Sequence, residues 1–146
     1  MINDKLGNID VKKITSLFGL SDAALSRIKE KGVVVLWAEP DKEPTKHIFN
    51  DLIHLKQELD EWGGYFLVLT DPDASWSGFS SMELKSMPAN ILFAHDNIIL
   101  TGVFNSSAAC EIGLPYVVMA DKSGKVLYSS SGYRIGIGEQ ILRFAK

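Results

Sequence analysis

The stretch Gly32-Val33-Val34-Val35-Leu36-Trp37-Ala38-Glu39-Pro40-Asp41-Lys42-Glu43-Pro44 holds the sharpest change of character in this sequence. An unbroken apolar run, begun by three β-branched valines, follows a glycine. This predicts a strand over Gly32 to Ala38 that is covered on both faces. The run ends in a polar turn with two prolines. Beyond it the apolar positions Ile48, Leu52, Leu55, Leu59 and Trp62 recur at spacings of four, three, four and three. That spacing predicts one long amphipathic helix from about Glu43 to Trp62, its stripe widened by Phe49 and Ile53. Gly63-Gly64 then stops it, because glycine takes the left-handed cap conformation cheaply.

A strand followed at once by a helix points to an α/β domain. Downstream, Tyr65 to Thr70 is a second buried strand. Asp71 to Gly78 is a loop with Asp71-Pro72 as its turn signal, and Phe79 to Met87 suits a short helix. Asn90 to Ala94 and Asn97 to Phe104 are apolar segments that pattern alone leaves as helix or strand, with His95-Asp96 read as the turn between them. Tyr116 to Ala120 and Val126 to Ser130 form a hairpin around Asp121-Lys122-Ser123-Gly124. Gly138 opens a closing helix, Glu139 to Lys146, with Ile141, Leu142 and Phe144 apolar. Upstream, Ser21-Asp22 starts a helix with Leu25 and Ile28 inward and Gly32 at its end, and Val11 to Leu20 is a short strand or lead-in. Residues 1–31 thus read as an extension packed on a core of residues 32–146, one structural domain in all.

The composition agrees with a globular domain. The 146 residues are 46% hydrophobic and 23% charged, enough to bury a core without metal or disulfide staples. The net charge is -3 and no basic stripe is interleaved with aromatics, which argues against nucleic acid as partner. The apolar run Val33 to Ala38 is far too short to span a bilayer. The first ten residues carry Asp4, Lys5 and Asp10 and no apolar core, so no secretory leader is expected there. The one cysteine, Cys110, excludes an internal disulfide and a Cys-rich zinc site.

The order strand, helix, strand, linking segment, hairpin, helix resembles the thioredoxin-like fold, and local sequences agree with it. Val33 to Ala38 resembles the first core strand of the extracytoplasmic thiol–disulfide oxidoreductases, which runs through a Trp-Ala pair into the active-site loop. Leu114-Pro115-Tyr116-Val117-Val118 resembles the cis-proline segment that opens the next strand. Asp121-Lys122-Ser123-Gly124-Lys125-Val126 is similar to the Asp-x-x-Gly-x-Val turn, and Gly132-Tyr133 to the glycine-aromatic pair before the last helix. The resemblance covers residues 32–146. It implies a thioredoxin-like three-layer α/β/α sandwich with a mixed central sheet, and an extracytoplasmic, periplasmic or lipid-anchored setting. A narrower likeness rests on Glu43-Pro44-Thr45 with His47, and on Gly132-Tyr133-Arg134-Ile135-Gly136 with Gly138-Glu139-Gln140. These resemble the carboxy-terminal thioredoxin-like domain of some bacterial proteins with an upstream transglutaminase-like domain, which implies a longer parent polypeptide.

Thiol exchange needs a thiolate at a helix N-terminus, where backbone N–H groups and the helix dipole favour negative charge. Without gaps, the family's two cysteines fall on Asp41 and Pro44, and no cysteine lies between Met1 and Ala109. The degenerate active-site loop comprises Trp37, Glu39, Asp41, Glu43, Pro44 and His47. Asp41 reads as the helix cap, and Pro44 is tolerated in the first turn, where its missing N–H has no helical partner. Glu39, Asp41, Glu43 and His47 can also be read as a cation or basic-peptide site, but His–carboxylate pairs one helical turn apart are more often solvated surface. No metal or cofactor is expected.

Cys110 stands five residues before Pro115 and reads as a buried small hydrophobe. A reactive thiol would need positive charge beside it, and its neighbours are Ala109 and Glu111. Trp37 and Trp62 read as core or core edge, and Trp76 as a loop residue, either a contact anchor or folded over the domain edge. No Gly-x-Ser-x-Gly elbow and no phosphate-binding loop is present. The expectation is therefore an accessory domain without a catalytic residue, whose groove beside Leu114-Pro115 holds an extended segment of a neighbouring domain or partner chain. The alternative is an enzyme of the same superfamily, thiol oxidoreductase or peroxidase-like, using Cys110 or the carboxylates.

Overall fold

The computed structural model describes residues 19–38, 43–70, 79–95, 116–131 and 136–145. The elements follow in the order α1 (Asp22–Lys31), β1 (Val33–Trp37), α2 (Glu43–His54), α3 (Lys56–Trp62), β2 (Tyr65–Thr70), α4 (Ser81–Lys85), β3 (Ile91–His95), β4 (Tyr116–Ala120), β5 (Val126–Ser131) and α5 (Ile137–Ala145). The five strands form one sheet in the order β3-β2-β1-β4-β5. β1 runs parallel to β2 and antiparallel to β4, and β2 runs parallel to β3, so the sheet is mixed.

β1 is central and all five of its residues are buried, as expected for a strand with elements on both faces. Its side chains alternate. Val33, Val35 and Trp37 join Ile28, Leu67, Leu69 and Val118 in one apolar cluster, and α1 covers that face through Ile28. Val34, Leu36 and Ala38 point the other way, to Ile48, Phe49, Leu52 and Leu59 of α2 and α3 and to Ile137 and Ile141 of α5. Two apolar layers thus sandwich the sheet, and the three-layer α/β/α arrangement follows.

Several local expectations hold. The Ser21 hydroxyl accepts the Ala24 N–H at 3.1 Å and caps α1. Gly63 closes α3 in the left-handed conformation, with φ 82°. In the hairpin turn the Asp121 carboxylate accepts the N–H groups of Ser123 and Lys125. The short helix within Phe79 to Met87 forms as α4, opened by a capping box between Ser80 and Glu83.

Other expectations need correction. The helix from Glu43 to Trp62 is two helices, α2 and α3, broken at Leu55, where the backbone departs from helical values to φ -103° and ψ 18°. The bend lies where α5 meets this helix pair: a β-carbon on Gly138 would stand 2.7 Å from Leu55 Cδ1 and 3.5 Å from Asp51. Gly138 accordingly does not open α5. It is the second residue of that helix, buried, and its lack of a side chain lets α5 approach the bend. In α1 the inward pair is Ala24 and Ile28, with Leu25 half-buried, because the helix presents positions four apart to the sheet. Asn90 to Ala94 resolves as strand β3, and His95 is its last residue, paired with Thr70, rather than part of a turn. Of the expected lead-in, residues 11–18 lie outside the described residues, as do Asp71 to Gly78 and Asn97 to Phe104. Among the described residues no helix is long and apolar enough to cross a membrane.

Candidate functional site

In an open α/β sheet, ligands gather where the parallel strands end. Here those ends are Trp37 of β1, Thr70 of β2 and His95 of β3, held side by side by the register that sets Trp37 beside Leu69 and Thr70 beside His95. The Ala38 N–H donates to the Leu69 carbonyl at 2.8 Å and carries the pairing one residue further. β4 comes in from the opposite direction and begins here as well, with Tyr116 opposite Trp37. The residues just before Tyr116 in sequence are Leu114 and Pro115.

The start of α2 belongs to the same end, because only five residues separate β1 from Glu43. Glu43 and Pro44 are its first two residues. Pro44 thus occupies the first turn, as its missing N–H permits. His47 follows one turn later and is exposed. Trp37 is buried, 3% exposed, and belongs to the cluster on the α1 face of the sheet, away from α2. Of the residues singled out from sequence, the structure therefore groups Glu43, Pro44 and His47 on one helix start, while Trp37 anchors the strand beneath. Glu39, Asp41, Cys110, Leu114 and Pro115 lie outside the described residues.

Two buried hydroxyl residues at this end were not anticipated. Thr45 in the first turn of α2 is wholly buried, and Thr70 at the close of β2 is 3% exposed. Thr70 closes an otherwise apolar strand, a pattern that was visible in the sequence. Thr45 had no such marker. Among the described residues no three His, Cys, Asp or Glu side chains gather as metal ligands do.

Among the described residues, the groups whose ionisation the fold clearly displaces are at the opposite end of the sheet. Tyr65, the first residue of β2, is paired with Val33, and burial raises its phenol above the ordinary value. Asp121 follows β4 directly. Its partial burial works to raise its pKa, but the Ser123 hydroxyl at 2.6 Å, the Ser123 and Lys125 N–H groups and the Lys125 charge together hold it below the usual aspartate value. Two surface hollows are also remote from the candidate site. One, of about 620 Å³, runs along the outer side of α2 and α3 beside His54, Lys56 and Asp60. The other, of about 320 Å³, lies between α1, α3 and α5 beside Trp62.

No family model matches the chain, and no curated protein matches it. Solved structures do. A putative thiol:disulfide interchange protein DsbE from Chlorobium tepidum superposes with a TM-score of 0.57 at 22% identity, over 84% of this chain and 85% of that one. The thioredoxin domain of a thiol-disulfide oxidoreductase from Bacteroides vulgatus gives a TM-score of 0.61 at 13% identity, over 84% of each chain. An exposed lipoprotein thioredoxin from Streptococcus pneumoniae gives 0.54 at 17% identity, over 83% of this chain and 87% of that one. At these identities the likeness is one of fold. The chain has a thioredoxin-like α/β fold with a five-stranded mixed sheet flanked by helices.

Proposed function

We propose that this chain is a redox-inactive thioredoxin-like domain, an accessory or protein-interaction module of a larger extracytoplasmic bacterial protein. One observation carries this reading: its 146 residues contain a single cysteine, Cys110. Dithiol exchange needs two sulfurs that can close a disulfide. The sequence between the end of β1 and the first turn of α2 is Ala38-Glu39-Pro40-Asp41-Lys42-Glu43-Pro44, with no sulfur in it.

What remains useful is the scaffold. The parallel strands end together, β4 begins beside them, and α2 starts above them. Such a fold can hold an extended segment by backbone pairing, which requires no cysteine. The segment belongs, in this reading, to a neighbouring domain or a partner chain. The resemblance to domains that follow a transglutaminase-like domain makes such a domain the first partner to test. The solved structures of similar fold include an exposed lipoprotein, which supports an extracytoplasmic setting. Residues 1–31 serve as an extension on the core of residues 32–146.

Two measurements test the proposal together. In an insulin-reduction assay with dithiothreitol, the chain is expected to give the rate of reductant alone, and Cys110→Ser the same rate. A rate above free cysteine that disappears in Cys110→Ser would overturn the redox-inactive reading and favour a single-cysteine enzyme. Affinity capture with the domains adjacent in the parent polypeptide is expected to retain one of them, and replacement of Leu114 and Pro115 to weaken it. Capture indifferent to those replacements would remove the groove from the proposal.

A further inference from the structure

We draw no further inference here: the strongest candidate, the hollow of about 320 Å³ between α1, α3 and α5 where Trp62 lies beside Glu58, Glu61 and Lys31, carries nothing because its two carboxylates share it with a lysine and nothing in the structure shows what covers it.

Discussion

At Gly32 the chain leaves α1 and enters β1 with φ at 104°, and a β-carbon there would stand 2.5 Å from the Ala120 carbonyl oxygen. Both the backbone conformation and the space exclude a side chain. Gly32→Ala is therefore expected to destabilise the fold by about 2 kcal/mol or more, combining left-handed strain with displacement of a backbone carbonyl. A urea midpoint within error of the parent would refute this. Asp121 makes a pH-dependent contribution whose sign follows from its hydrogen bonds. Its folded pKa is lowered, so the stabilisation is complete above the ordinary aspartate value of 3.8 and is lost as pH falls through the lower folded value. Asp121→Asn keeps an acceptor oxygen but loses the charge, so it should cost up to about 1 kcal/mol at neutral pH, the margin by which a hydrogen bond to an ionised acceptor exceeds a neutral one. The difference from the parent should close in urea titrations carried progressively below that value. A difference independent of pH would assign the effect to shape rather than charge. The turn around Asp121 was legible from sequence because an aspartate that bonds its own backbone two residues on is a local event.

The elements that were hardest to read are those whose character depends on neighbours. The apolar stripe of α2 and α3 predicted which residues face the core: Ile48, Phe49, Leu52 and Leu59 are buried. The same stripe hid the break at Leu55, because a regular spacing of four and three runs straight through it. The bend is found only where Gly138 of α5 packs on Leu55 and Asp51. β3 was ambiguous for a related reason. Ile91-Leu92-Phe93-Ala94 is uniformly apolar and half-buried throughout, with neither the alternation of a strand nor the length of a helix. Pairing with β2 made it a strand and drew His95 into its end. Phe49 joins these pieces: wholly buried, it packs against Phe79 at 4.9 Å and Phe93 at 6.3 Å between ring centroids. Phe49→Ala is expected to lower stability by about 3–5 kcal/mol, read from chemical denaturation. A loss below about 1 kcal/mol would mean that α2 is held to the sheet mainly by its other apolar side chains.

For the molecule as a whole, the proposal that this fold stands without dithiol chemistry can be tested by supplying two thiols. Asp41→Cys with Pro44→Cys would set two thiols at the entry to α2, where the helix dipole favours a thiolate. The double variant is expected to reduce insulin where the parent does not. A folded double variant that forms its disulfide yet stays inactive would show that the helix entry no longer has the geometry the resemblance implies. Sequence alone was sufficient for the central buried strand, the helix stripe, the hairpin and the closing helix, and for the absence of a second cysteine. These rest on local periodicity, local turn chemistry or a count of residues. Tertiary structure decided the order of the strands, the strand character of β3, the break at Leu55, the place of Gly138 inside α5 and the burial of Thr45 and Thr70. Each of these depends on contacts between residues far apart in the chain. Periodicity records which face of an element is apolar, but not which element will cover it or how closely that element will approach.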